Sequence, residues 1–437
     1  MALERGERRL VYTFENARSL IAVVLIILIA WLFSEKKGRF PFLLAIGALL
    51  VQAGFVLLLF AIPNSKAVLA GVSAAVDGLA SATDRGTQFV FGYLAGGAEP
   101  YALKTDATAP FIFGFRVLPL ILVISALSAL LWHWRILRWI TRGFGFVFEK
   151  SMNLGGASAL AVAANIFMGM VESPIVIRAY LDKLTRAELF LMMVVGLATV
   201  AGSTMVAYAI ILEPVLTDAA GHVLVASIIS APAGILLARI MIPEEHKAGE
   251  PYDYASALKY ESSMDAVTRG VQDGVMVVVN VAAFLIVFVA FVWIINNLLG
   301  AGADLLGREP VTLQQLFGYV FAPVAYLIGV PWSEAQTAGG VLGTKLFLTE
   351  FIAFIDLGAI PASELSERSR MIMTYAICGF ANVASVGIMT GGMTVLMPNR
   401  RAEILALAWK SLLPGFMATL MAAAIVAALP AGLFSAR

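Results

Sequence analysis

The sequence predicts an all-α polytopic membrane protein with eight transmembrane helices, two re-entrant hairpins of opposite orientation, interfacial helices and an inverted internal repeat. Three observations predict it. Of the 437 residues, 60% are hydrophobic and only 14% are charged, whereas soluble domains carry about 25% charged residues. Apolar runs of about 18 residues or more recur along the whole chain, and they show no period-two alternation, which excludes a barrel. Two of the runs are interrupted in mid-run by glycine and polar residues, in places that match each other.

Composition narrows the partners. The net charge of +1 argues against a nucleic-acid partner and leaves the lipid bilayer as the main surroundings. The single cysteine, Cys378, excludes a disulfide framework and a thiolate metal site. The opening stretch "MALERGERRLVYTFENARS" mixes acids and bases, and no small-residue cleavage site follows the first apolar run. That run therefore reads as a retained helix rather than a signal peptide.

In chain order, the spans are expected at about 18–34, 41–62, 111–132, 187–212, 221–242, 274–299, 370–397 and 404–433. The runs at 154–182 and 335–358 read as hairpins, because irregular backbone at membrane depth is tolerated only where protein or water covers it. Segments near 84–95, 135–149 and 312–330 mix Gly, Pro, Arg or Gln with apolar residues. They read as helices lying in the interface, with ordinary spans as the alternative. Basic clusters set the orientation. Lys36, Lys37 and Arg39, then Arg135, Arg138 and Arg142, then Lys183 and Arg186, then Arg400 and Arg401, all fall on one side, the cytoplasm. Both termini then lie outside, and Arg5, Arg8 and Arg9, interleaved with Glu4 and Glu7, oppose this.

The repeat is carried by "GLATVAGS" (196–203) after the first hairpin and "GFANVASV" (379–386) after the second. Gly196 aligns with Gly379, Thr199 with Asn382, Val200 with Val383 and Ala201 with Ala384. Each block follows a hairpin holding an acid, Glu172 in "NIFMGMVESP" and Glu350 in "TKLFLTEF". Broken segments in corresponding places of two halves are a pointer to a transporter's midplane site. Chance matching of short Ala/Gly/Val-rich blocks is the competing account.

A carboxylate at membrane depth costs about 2.5–3.5 kcal/mol on insertion scales, so Glu172 needs a reason. With hairpin backbone groups, Glu172 and Glu350 suit a neutral, hydroxyl-rich ligand. The bland reading pairs Glu172 with Arg178 and Glu350 with Lys345. Asn165, Thr199 and Ser203 are small oxygen donors that suit a hard cation such as Na+, while spacing alone favours helix-to-helix hydrogen bonds. Asn382 and Ser385 share a helical face beside Phe380 and suit a sugar and a flat ring. Asn280 reads as a structural hydrogen-bonder. His133, His222 and His246 are scattered, no H-E-x-x-H or G-x-S-G stretch occurs, and Asp356 stands alone. The chain is therefore read as no enzyme. An intramembrane hydrolase using the two glutamates as paired acids is the rival from another class, and hairpins of opposite orientation argue against it.

At these residues the sequence resembles the concentrative nucleoside transporter family. The matching stretches are "FIFGFRVLPLILVISALSALL", "NIFMGMVESPIVIRAYL", "LATVAGSTMVAYAIIL", "NVAAFLIVFVAFVWIIN", "LFGYVFAPVAYLIGVPW", "GTKLFLTEFIAFIDL" and "CGFANVASVGIMTGG", in the family's order from about residue 85 to 435. The first 80 or so residues match in hydropathy only. The resemblance implies a multi-pass inner-membrane symporter, a homotrimer with elevator-like movement, and uptake of nucleosides driven by Na+, or by H+ in some members. It divides the chain into 1–150 (scaffold and interfacial helices), 151–243 (first transport repeat), 244–330 (scaffold) and 331–437 (second transport repeat). It assigns Asn382, Ser385 and Glu350 to the ribose, Phe380 beside them, and Glu172 to the base side. Gly169, Met170, Val171 and Thr204 complete the substrate set. Na+, the one non-protein component implied, falls to the side chains of Asn165 and Thr199 and to carbonyls of Met168, Val200 and Ser203. The retained Asn165 and Thr199 favour Na+ over the alternative, an H+-coupled carrier of nucleosides, nucleobases or other ribosyl compounds. The sequence departs from the family at one place. Where the family reads Gly-Gln-Thr-Glu, this chain reads Gly169-Met170-Val171-Glu172, and Met and Val cannot make the Gln and Thr hydrogen bonds to a base.

Overall fold

In hydrocarbon every backbone N–H and C=O needs a partner within its own segment, and a helix supplies one locally. The computed structural model describes residues 14–60, 65–98, 100, 112–244, 258–305, 307–430 and 434. All regular elements among them are helical, and no strand occurs.

The chain opens with α1 (Phe14–Leu32) and α2 (Phe42–Phe60), two apolar spans. α3 (Ser65–Phe91) is amphipathic, with Asp77, Asp84, Arg85 and Gln88 among its apolar residues. It starts well before the expected interfacial segment 84–95, and residues 92–95 tighten into a 3-10 turn. Its Ala-rich, proline-free first half explains the longer helix. The third span is made by α4 (Phe113–Arg116) and α5 (Leu118–His133). Arg135, in the left-handed region at φ 68°, turns the chain into α6 (Ile136–Met152). α6 buries Leu137, Thr141, Gly145, Phe148 and Met152 along one stripe while Trp139 and Phe146 face outward. Such a stripe is what an amphipathic helix on a surface requires.

The first expected hairpin is α7 (Gly156–Met168), a break at Gly169–Glu172, and the short α8 (Ser173–Val176), continued by a 3-10 segment, Arg178–Lys183. Gly169 sits at φ +87°, and a Cβ there would lie 3.0 Å from both Ala201 Cβ and Glu172 Oε2, so glycine is required twice over. The expected span 187–212 is interrupted: α9 (Arg186–Ala198) ends at Thr199, and α10 (Gly202–Leu212) starts after Ala201. α11 (Ala219–Met241) follows, buried along almost its whole length. α12 (Ser263–Leu305) has 43 residues, about 65 Å of helix against a hydrocarbon core of about 30 Å.

α13 (Leu313–Leu327) starts from a Thr312–Gln315 capping box, and α14 (Trp332–Phe347) bends away from it by 117°. Gly339 allows this pair to touch, since a Cβ there would sit 2.7 Å from the Ala322 nitrogen. The second expected hairpin is α14, a break at Leu348–Thr349, and α15 (Glu350–Ala359). The expected span 370–397 is also divided, into α16 (Glu367–Ile377) and α17 (Val383–Leu396) around a break at Cys378–Asn382. α18 (Arg401–Ala428) closes the described fold. Seven of the eight expected spans meet the length and hydropathy of a bilayer-crossing helix, α4 with α5, and α9 with α10, each counted as one. The divided 370–397 segment does not, because its break leaves two short pieces.

The core lies around α11, packed against α2, α9 and α18, with α1 and α16 also on α18. α5 lies along α12, where Gly270 is needed: a Cβ would come 2.7 Å from the Ala126 Cα. α12 buries only Ala266, Gly270 and Gly274, and turns an apolar surface outward. At one end of the molecule Glu35 ties three segments together. Its carboxylate takes Arg186 and Lys410, each at 2.6 Å, and its N–H donates to the Met241 carbonyl at 2.9 Å. The Arg186 hydrogen bond first, and Lys410 after it, hold this carboxyl below its ordinary range. Arg400 donates to the Leu181 and Leu184 carbonyls at the adjoining turn.

Candidate functional site

All four helix breaks open on one cavity of about 140 Å3. A single buried water needs about 10–15 Å3 on the same measure, so this is space for a ligand. Gly169, Met170, Val171 and Glu172 come from the first break, and Ala201, with Ser203 and Thr204 just beyond, from the second. Thr349 and Glu350 come from the third, and Phe380 and Ser385 from the fourth. A further wall belongs to α12, through Val277, Asn280, Val281, Phe284 and Leu285.

Of the nine substrate residues expected from sequence, eight line this cavity, and Asn382 stands one hydrogen bond behind it. Asn382 is fully buried at the start of α17, where its Oδ1 accepts the Ser385 N–H at 2.7 Å. Its Nδ2 donates to Glu350 Oε2 at 2.5 Å. The other Glu350 oxygen accepts from the Tyr208 hydroxyl at 2.8 Å. Thr349 caps α15 by accepting the Ile352 N–H, which places Glu350 in the first turn, at the positive end of the helix. Neutral donors and a helix end thus hold this acid. Lys345 does not: its Nζ donates to Thr419 Oγ1 at 3.0 Å and lies 4.6 Å from the Phe416 ring centre. The Glu350–Lys345 ion pair of the bland reading is not formed. Nor is Glu172–Arg178, since Arg178 is exposed and no ion pair joins the two.

The expected cation ligands fall in two places. Asn165 and Thr199 are fully buried and adjacent, with the Thr199 hydroxyl 3.2 Å from the Asn165 carbonyl and 2.9 Å from that of Val195. Asn165 Oδ1 accepts the Ser173 hydroxyl at 2.6 Å, while its Nδ2 has no partner. Met168 is the last residue of α7 and Val200 sits inside the second break, whereas Ser203 lies a turn along, on the cavity wall. The two breaks that carry the sequence repeat also touch. The Phe380 N–H donates to the Thr199 carbonyl at 3.2 Å, and a Cβ on Gly379 would lie 2.7 Å from the Ala198 oxygen.

Sequence reasoning missed Tyr208, Ser173 and the α12 wall. Ser173 stands beside Glu172 in the motif already singled out, but its bond to Asn165 depends on how the chain folds back after Gly169. Tyr208 and the α12 residues carry no local signal. Asn280, expected to be a structural hydrogen-bonder, is instead exposed on the cavity wall, and its side chain bonds to no other described residue.

An all-helical, multi-pass membrane protein whose broken helices converge on one internal cavity defines a transporter by class. Comparison with known proteins gives the family. Residues 21–94 and 222–427 match the family models described as Na+ dependent nucleoside transporter N-terminus and C-terminus, and residues 114–215 match one described as nucleoside recognition. The chain is 38% identical to an uncharacterized transporter, YutK, of Bacillus subtilis, over 93% of this chain and 97% of that protein. It is 32% identical to the nucleoside permease NupC of Helicobacter pylori, over 96% and 98%. With the rat sodium/nucleoside cotransporter 1 it shares 31% identity, over 79% of this chain and 53% of that longer protein. Its structure is similar to CNTnw in an inward-facing, substrate-bound state, with TM-score 0.86 and 31% identity over 96% of this chain and 98% of that one. A CNTnw variant in an outward-facing state gives TM-score 0.87 and 30% identity, over 95% and 97%. The chain belongs to the concentrative nucleoside transporter family, whose members are transporters and not enzymes.

Proposed function

We propose that this protein imports nucleosides across the cytoplasmic membrane by Na+ symport. The observation that carries the reading is the convergence of all four helix breaks on one cavity, with Glu350, Asn382 and Ser385 bonded into one array at its wall. Glu350 and Ser385 line the cavity, and a carboxylate and a hydroxyl suit the two ribose hydroxyls as acceptor and donor. Phe380 supplies an apolar face beside them. Glu172 stands on the base side, with Met170 and Val171.

Asn165, Thr199 and the carbonyls of Met168, Val200 and Ser203 make the Na+ site in this reading. The unpaired Asn165 amide supports it. Turning that amide about its last bond sets Nδ2 on the Ser173 hydroxyl and frees Oδ1 for a cation, and the two orientations are set only by the network around them. One Na+ is enough energetically. About 100 mV contributes roughly 2.3 kcal/mol per charge, and a tenfold gradient about 1.4 kcal/mol. Together they sustain several-hundred-fold accumulation of a neutral solute.

Movement is proposed to be of the elevator type, with 151–243 and 331–437 as an inverted repeat of two oppositely oriented hairpins that moves as one body in each subunit of a homotrimer. The α5–α12 pair is the fixed frame. The packing of α1 on α18 and of α2 on α11 favours counting these two helices with the moving body, where the sequence reading set all of 1–150 with the frame.

The test is uptake into proteoliposomes of labelled uridine, cytidine, adenosine, guanosine, inosine and free bases. Each is measured with an inward Na+ gradient, with choline in place of Na+, and with an imposed pH gradient. Na+-dependent accumulation of a nucleoside is expected. Accumulation that follows only the pH gradient refutes Na+ coupling, and accumulation of free bases alone refutes the ribose assignment.

A further inference from the structure

The cavity is asymmetric in a way the ribose assignment leaves unused. On the base side Met170 and Val171 offer no hydrogen-bonding group except backbone, which leaves Glu172 as the one polar side chain the first break supplies there. The α12 residues lining the same cavity are Val277, Val281, Phe284 and Leu285, all apolar, with one polar side chain among them, Asn280. Val277, Asn280, Val281 and Phe284 fall at helical spacing on a single face. The other asparagines of α12 are engaged. Asn296 bonds to Leu313 N–H and Gln314, and Asn297 donates to the Trp293 carbonyl. The Asn280 side chain bonds to no described residue, although α12 holds the most apolar stretch among the candidate spans. Exposed on the cavity wall, this amide keeps its donor and its acceptor open to whatever fills the cavity.

We propose that Asn280 is the residue that reads the edge of the base, and that its preferred partner is a purine nucleoside with a 6-substituent. This rests on the nucleoside reading given above and names its specificity group. A primary amide presents one donor and one acceptor side by side. That pair matches the 6-amino group with its neighbouring ring nitrogen in adenosine, and the 6-oxo group with N1–H in inosine. Purine riboside lacks the exocyclic group and meets only half of the amide. The apolar walls and the adaptable Met170 thioether suit the larger flat face of a purine.

The experiment compares adenosine, inosine and purine riboside in wild type and in Asn280→Leu, by initial uptake rates into proteoliposomes. Adenosine binding against purine riboside competition is also measured, on purified Asn280→Ala in detergent. Wild type is expected to favour adenosine and inosine over purine riboside by about tenfold, the effect of one hydrogen bond that purine riboside does not make. In both variants that ratio is expected to fall to near one, while purine riboside is handled as before. Equal ratios in wild type and variants, with nucleosides still transported, overturn the Asn280 assignment and leave the transport reading standing. Failure of wild type to accumulate any nucleoside overturns both.

Discussion

Tyr208→Phe isolates a single interaction at the ribose side of the cavity. The Tyr208 ring is fully buried, stacked on Phe354 with 4.2 Å between centres and 8° between planes, and edge-on to Phe351 at 5.3 Å. Phenylalanine keeps all of this packing and removes only the hydroxyl that donates to Glu350 at 2.8 Å. Glu350 then keeps Asn382 and the helix end, and one carboxylate oxygen loses its side-chain donor. A hydrogen bond to a charged group contributes about 1.5–3 kcal/mol, which at 1.4 kcal/mol per tenfold is about ten- to a hundredfold in affinity. The expected outcome is a KM for ribonucleosides raised by that factor, with a maximal rate nearer to wild type. A 2′,3′-dideoxynucleoside, which has no ribose hydroxyls for Glu350 to hold, is expected to lose less. The paired measurement is uptake kinetics for the two substrates, with melting temperature as a check on folding. An unchanged KM for the ribonucleoside, or an equal loss for both substrates, refutes the assignment of Glu350 to the ribose and of Tyr208 as its positioning residue.

Three other perturbations have defined outcomes. Met170→Gln with Val171→Thr restores an amide and a hydroxyl to the base side, each worth about 1–3 kcal/mol when it meets a polar partner; uridine uptake relative to adenosine is expected to rise at least fivefold, and an unchanged ratio counts against the account of this motif. Gly196→Ala would put a Cβ 2.9 Å from Met170 Cβ and 3.6 Å from Asn165 Oδ1; overpacking of this kind costs about 1–3 kcal/mol, and both a lower melting temperature and a higher Na+ concentration for half-maximal uptake are expected. Glu35→Gln tests the tie at the molecule's end. A carboxyl held below its ordinary value, 4.5 here, stabilises the fold above that pH and ceases to do so as pH falls through the lower folded value. Because the Glu35 and Arg186 side chains are 34% and 47% exposed, solvent screening limits the loss to about 1 kcal/mol. The variant is expected to melt below wild type at neutral pH and to converge with it as the pH falls through the lowered folded value.

Much of the fold was legible because the bilayer imposes a strong rule on sequence. Apolar length gave seven of the spans directly, and the stripe of α6 was readable from its mixed composition. The two unwound blocks were harder. "GLATVAGS" and "GFANVASV" contain no proline and carry good apolar residues, so local propensity continues a helix through them. What opens them is packing: Gly379 needs its closeness to the Ala198 carbonyl, and the Phe380 N–H finds its acceptor on Thr199, in the other block. The matching of the two blocks in sequence signalled their importance without stating that they touch. The α3 boundary was missed for the opposite reason, since attention to Arg85 and Gln88 hid the Ala-rich helix before them.

The site divides in the same way. Glu172, Glu350, Asn382 and Ser385 were identifiable from sequence, because polar groups in apolar runs are expensive and call for an explanation. The partners of those groups were not. Lys345 is only five residues from Glu350, yet the fold turns it toward Thr419, while Tyr208, far away in the chain, takes its place. Asn280 lies in a span with no other mark of function, and only the placing of α12 across the helix breaks turns it toward the cavity. By itself, the sequence determined that this chain crosses a membrane many times and which of its residues are too polar to be idle there, since both follow from the local cost of burying polar groups in hydrocarbon. Which of those residues meet was decided by the tertiary structure alone, because the distances between them depend on how distant helices pack.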